Sequence, residues 1–163
     1  MRVENNTTPS KLQDPGVPLV SIQIGEFKTE WALLDLGACV SIMPGALYDQ
    51  YEFGPLQNVN TTVVLADQTR TLPRGMLLNV KVKVDDFCYL VDFLVLDYAK
   101  SVNTTQPTVI LGRPFLATSQ AVIDCAKGTL RIKYGDRGKH LSLFENATNP
   151  LVDKCTEQGT YTR

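Results

Sequence analysis

Residues 31–44 read WALLDLGACVSIMP, and they place one carboxylate, Asp35, between an apolar run and a glycine. A charge in apolar surroundings costs several kcal/mol unless it is paired, hydrogen-bonded or protonated, so Asp35 needs a partner. A strand that ends in Asp-x-Gly-Ala can turn sharply. Gly37 is expected to supply freedom in φ and a close backbone approach, presenting the Asp35 carboxylate to backbone N–H donors.

The chain offers few other places for chemistry. His140 is the only histidine, in the polar run DRGKHLS, and reads as a solvated surface group rather than the base of a serine or cysteine nucleophile. Neither GxxxxGK[ST] nor GxGxxG occurs, so no phosphate cradle is expected. Cys39, Cys88, Cys125 and Cys155 form no CxxC pair, which with a single histidine argues against a zinc site. The first three lie in apolar segments and are expected to be small buried thiols, with no structural disulfide. Asp92, Asp97 and Asp124 also adjoin apolar runs, but strand alternation or strand ends turn them outward or onto hydrogen-bonded turns.

Composition sets the class. The chain has 163 residues, 44% hydrophobic and 20% charged, enough for one ordinary core. Lys and Arg total 16 against 17 Asp and Glu, without a basic run, so neither nucleic acid nor an anionic membrane is an expected partner. The longest apolar stretches are too short to span a bilayer, and the polar opening MRVENNTTPS lacks an h-region. The expected compartment is the cytoplasm. Residues 1–14 and 145–163 are polar and read as tails or linkers around a domain spanning 15–144.

Between those tails, short β-branched segments alternate with turn residues: VPLVSIQIG, FKTEWALLD, VNTTVVLA, GMLLNVKVKV, FCYLVDFLVL, TVILG, AVIDC and GTLRIKY. The spacing predicts an all-β chain, an antiparallel barrel or sandwich of about eight strands. The run LLNVKVKVDD alternates and should have one wet face, while VDDF and AKGTL read as hairpin turns. Only MPGALYDQY and RPFLATSQ suit short helices, the second with Pro114 in its first turn.

Taken in order, ALLDLGACVSIMP and VILGRPFLAT resemble the retropepsin class of aspartic proteases, in particular the protease domain of Gag-Pol polyproteins in plant gypsy-type LTR retrotransposons. The resemblance covers roughly residues 15–135 and includes LADQTRTLPRGMLLNVKVKV and VDFLVLD between the two motifs. It implies a closed, mostly β acid-protease barrel with one short helix on the C-terminal side. Asp35 would be catalytic, in an active-site loop with Leu36, Gly37 and Ala38. Ile110, Leu111, Gly112 and Arg113 would form the supporting loop, and Ala66, Asp67, Gln68 and Thr69 would lie in the flap that closes over a peptide.

The same resemblance supplies the partner Asp35 needs: a C2 homodimer sets two copies of Asp35 face to face. Two carboxylates roughly 3 Å apart cannot both ionise readily, so they share a proton and titrate in two separated steps. The implied function is an aspartic endopeptidase that activates water without metal or cofactor. Its implied substrate is its own polyprotein, in the cytoplasm or within virus-like particles. The alternative is a weak or inactive module of the same fold that dimerises or binds peptides. The family usually carries Thr or Ser after the catalytic Asp, and its hydroxyl grips the partner chain; Leu36 cannot. If the loop's backbone donors still need partners, Leu36→Thr should tighten the dimer.

Overall fold

The computed structural model describes residues 7–64, 68–97 and 108–143. Residues 1–6 of the expected tail at 1–14, and all of the expected tail at 145–163 with Cys155, lie outside the described residues, as do Ala66 and Asp67.

Six strands close into a barrel: β1 (Leu19–Ile24), β2 (Phe27–Leu34), β3 (Ser41–Pro44), β6 (Gly75–Val84), β7 (Phe87–Leu96) and β8 (Ile110–Leu111), in the order β1-β2-β8-β3-β7-β6. A two-stranded hairpin, β4 (Val63–Val64) with β5 (Arg70–Thr71), stands apart from it. A three-stranded sheet is built from β9 (Val122–Asp124), β10 (Thr129–Tyr134) and β11 (Arg137–Ser142). The helices α1 (Gly45–Gln50) and α2 (Arg113–Thr118) fall within the two segments suited to them.

The barrel is not antiparallel throughout. β2 runs parallel to β8 (Leu33↔Ile110, Leu34↔Leu111), and β3 runs parallel to β7 (Ser41↔Phe93 to Pro44↔Leu96). The cause is a short strand wedged between two others. No hairpin joins β2 to β3; the chain swings out through the Asp35 loop, and β8 fills the gap, meeting β3 antiparallel at Ile42↔Ile110.

Periodicity forms the long hairpin at the centre of the sheet. Along β6, Leu77, Val80, Val82 and Val84 point inward, while Lys81 and Lys83 stay in water. A bulge between Leu77 and Val80 corrects the register; Asn79 there has φ of 55° and donates its N–H to Asp92 Oδ1 at 2.8 Å. Asp92 is thus an exposed hydrogen-bonded acid, as alternation implies. Asp124 likewise accepts Lys127 N–H at 2.9 Å across the AKGTL turn.

Phe87, Phe93 and Phe115 are fully buried with Met43, Leu111 and Leu130, and each such side chain contributes about 1.5–3 kcal/mol. The outer sheet is fastened to this core by aromatic contacts. Tyr134 stacks on Phe87 at 5.3 Å, and Tyr89 meets Phe115 edge-on at 5.5 Å while donating its hydroxyl to Lys133 O at 2.6 Å. Burial pushes the Tyr89 phenol above its ordinary value. On β11, Lys139 bridges Asp85 and Asp86 in the β6–β7 turn, and His140 is exposed. The bridge, mainly through hydrogen bonding, raises Lys139 and lowers Asp86.

The cysteines also differ from expectation: Cys39, Cys88 and Cys125 are free and exposed, not buried. Cys88 sits on the wet face of β7, whereas Cys39 and Cys125 sit in turns after their apolar runs have ended.

Candidate active site

The end of β2 is braced on both sides before the chain turns. Leu34 N–H donates to Pro18 O at 3.0 Å, and Leu33 N–H donates to Val109 O at 2.9 Å. Asp35 N–H continues this parallel ladder, donating to Leu111 O at 3.0 Å. Beyond it the loop closes on itself: Gly37 N–H donates to Asp35 Oδ1 at 2.8 Å, and Ala38 N–H donates to Asp35 O at 3.3 Å. The carboxylate therefore has the backbone donor expected of Asp-x-Gly. Asp35 is half-buried rather than enclosed, because it lies where β2 leaves the barrel. Gly37 also differs from expectation. Its φ is not in the left-handed region, so its value lies in proximity, since a Cβ there would stand 3.1 Å from Asp35 Oδ1.

The second glycine loop interlocks with the first. Arg113 N–H donates to Ala38 O at 2.9 Å, and Gly112 N–H donates to Ser41 Oγ at 3.0 Å. A Cβ at Gly112 would stand 2.6 Å from Val40 O and 2.8 Å from Ala38 O, so no larger residue fits without moving backbone. Leu111, Gly112 and Arg113 thus lie directly against the Asp35 loop, and Ile110 follows in the strand behind it. Ser41 escaped the sequence reading, although a single hydroxyl inside the apolar VSIMP was a signal that it had a partner to satisfy.

The hairpin is seen at its legs. Val63 pairs with Thr71 and Val64 with Arg70, while Gln68, with φ of 66°, and Thr69 lie on the exposed connection. Its lower end joins an apolar cluster: Val59, Val63 and Met76 pack against buried Ile42, Leu94 and Leu96, as do Val40 and Ile110, the residues flanking the two glycine loops. Hairpin and carboxylate loop therefore share one side of the barrel.

The structure of a retroviral protease-like domain of Ddi1 from Leishmania major is similar to this chain. The TM-score is 0.61, with 82% of this chain and 98% of that domain covered at 18% identity. The fold is retropepsin-like. At that identity the likeness concerns the fold alone; no family model and no curated protein matches the sequence.

A cluster of ion pairs lies at the base of the hairpin. Arg74 reaches Asp97 on one side and Asp49 on the other, each at 2.7 Å. Hydrogen bonding to Asp97, then to Asp49, raises the guanidinium above its ordinary value, and Arg74 in turn lowers Asp49. Among the described residues, no group of three His, Cys, Asp or Glu side chains could hold a metal, and no helix is long and apolar enough to cross a membrane. A separate groove of about 900 Å3, lined by Phe27, Trp31, Gln50 and Tyr51 among others, opens between the β1–β2 hairpin and the end of α1 and does not include Asp35.

Proposed function

We propose that the chain is an aspartic endopeptidase that works as a C2 homodimer, with Asp35 from each copy forming the catalytic pair. The observation that carries this reading is the interlock of the Asp35-Leu36-Gly37 loop with Gly112, which holds one carboxylate at a barrel mouth beside a hairpin. One chain supplies half of such a site. Leu36 supports a second copy, since it is 69% exposed at the tip of the loop and is apolar surface that a partner would cover.

In the dimer, two facing carboxylates would share one proton. The ionised member takes a proton from water as it attacks the scissile carbonyl; the protonated member donates to the carbonyl oxygen. The gem-diol then collapses as a carboxyl proton passes to the leaving amine. Gly37 N–H holds Asp35 Oδ1 in place throughout, so the group is oriented before substrate arrives. The substrate we propose is the polyprotein of a gypsy-type LTR retroelement in which such a domain would sit, processed in the cytoplasm or in virus-like particles.

The second reading is a dimerisation or peptide-binding module with little or no activity. Leu36 is the observation that favours it, because a hydroxyl in that place would bond across the two-fold axis. Incubating the purified chain with its flanking polyprotein, with and without a pepstatin-type inhibitor, separates the two. Inhibitor-sensitive cleavage that disappears in Asp35→Asn supports the protease; binding without cleavage supports the module.

A further inference from the structure

Where the hairpin's return strand re-enters the barrel, between β5 and β6, Arg74 spans two elements that are distant in sequence. Its Nε lies 2.9 and 3.1 Å from the two oxygens of Asp97, at the end of β7, and its Nη2 lies 2.7 Å from Asp97 Oδ1. The outer edge of the guanidinium donates to Asp49 on α1, Nη1 to Oδ1 at 2.7 Å and Nη2 to Oδ2 at 3.1 Å. The backbone N–H of Arg74 donates to Val95 O at 2.8 Å. Two edges of one planar fork are therefore used. A lysine, with a point charge, could not hold both carboxylates in this geometry.

The fold has kept space for this arrangement. A Cβ on Gly45, the first residue of α1, would stand 2.9 Å from Arg74 Cζ and closer still to Asp97 Oδ1. Next to Arg74, Met76 and Gln57 exchange backbone hydrogen bonds, each at 2.8 Å, which ties the outgoing leg to the returning one. Above that point, the next pairing among the described residues is Val63 with Thr71. The lower end of the hairpin is thus held at two places, and Arg74 is the side-chain anchor.

We propose that Arg74 is a positioning residue whose clamp on Asp49 and Asp97 sets the angle at which the β4–β5 hairpin stands over the Asp35 side of the barrel. This rests on reading that hairpin as the flap of the proposed protease. Exposed ion pairs contribute little to global stability, and Arg74, Asp49 and Asp97 retain a third or more of their side-chain exposure. The clamp acts locally, by restricting the hairpin to the pose that binds peptide. If the competent pose falls to a fraction f, apparent affinity falls by that same fraction.

The test compares wild type, Arg74→Lys, which keeps the charge and loses the fork, and Gly45→Ala, which keeps every charge and crowds the clamp. Amide exchange is followed at Val63, Val64, Arg70 and Thr71, against Val82 and Val91 in the barrel. Both variants should exchange about tenfold faster in the hairpin, with unchanged protection at Val82 and Val91 and a melting temperature close to wild type. Peptide KM should rise about tenfold, with kcat altered less than about twofold. Unchanged hairpin exchange, or a rise shared equally by the barrel amides, overturns the proposal. If wild type shows no Asp35-dependent cleavage, the protease reading fails, yet the exchange result still decides the clamp.

Discussion

The hydroxyl of buried Ser41 accepts the backbone N–H of Gly112 at 3.0 Å, tying the strand that follows the Asp35 loop to the loop that supports it. Removing that acceptor leaves a buried donor unsatisfied, which costs about 1–3 kcal/mol. Ser41→Ala should lower the denaturation midpoint accordingly, while Ser41→Thr, which keeps a hydroxyl, should lose less. Equal midpoints for Ala and wild type would show that Gly112 needs no side-chain partner.

Asp35→Asn tests the chemistry without disturbing the loop. An asparagine Oδ1 accepts the Gly37 N–H as the carboxylate does, but it can neither share nor transfer the proton. Proteolysis should fall on the order of 10⁴-fold or more while the melting curve stays close to wild type. Asp124→Asn, remote in role, should leave cleavage intact, since Asp124 caps the turn at Lys127 N–H. Peptide cleavage by Asp35→Asn at the wild-type rate would sink the assignment.

The sequence revealed those features that have a period or a motif. β1, β6, β7 and β10 announce themselves by alternation, and Asp35-Leu36-Gly37 with Ile110-Leu111-Gly112 by their apolar-to-glycine endings. What escaped has no such signature. β3 is four residues ending in proline, and β11 offers one apolar contact, Leu141 against the core, with Lys139 and Arg137, 5.1 Å above the Phe87 ring, adding charged ones. The parallel pairing of β2 with β8 follows from one short strand filling a gap, which no local pattern encodes. The Arg74 clamp joins residues 23 and 25 positions apart, so it exists only once the barrel has closed.

Dimerisation gives a concentration-dependent prediction. If each chain contributes one Asp35, monomers are inactive and specific activity falls on dilution through the dimer dissociation constant. Activity measured beside sedimentation should vanish as the dimer boundary does. A constant specific activity where only monomer sediments would contradict the shared site.

Acid should weaken the Asp49–Arg74 link in a defined window. Hydrogen bonding to Arg74 holds the Asp49 carboxylate below its ordinary value of 3.8, so the form with the clamp open takes up the proton first. The contribution is complete above that ordinary value and is lost as pH falls through the lower one of the closed clamp. Protection of the hairpin amides at Val63 and Thr71 should differ most between wild type and Asp49→Asn at neutral pH and converge as pH falls below the ordinary carboxylate range, where the Asp49 carboxyl is as uncharged as the Asn amide. A gap that persists unchanged into strong acid would place the effect of Asp49 elsewhere than in its charge.

In the proposed dimer Leu36 would lie at the two-fold axis, and the hydrogen bonds of its loop remove the premise on which the sequence favoured threonine there. That expectation required loop donors in need of partners, whereas Asp35, Gly37 and Ala38 N–H groups are all bonded within the chain, to Leu111 O, Asp35 Oδ1 and Asp35 O. A threonine hydroxyl in Leu36→Thr would gain on the order of 1 kcal/mol net per copy by bonding across the axis. Against that stands a leucine 69% exposed in the single chain, whose cover by a second copy is worth about 1.5–3 kcal/mol, of which threonine recovers only part. Summed over two copies, the balance favours leucine by about 1–2 kcal/mol, or roughly tenfold in the dissociation constant. Sedimentation of Leu36→Thr beside wild type should therefore show the weaker dimer in the threonine variant. A tighter one would mean that the hydroxyl grip outweighs apolar cover at this two-fold axis.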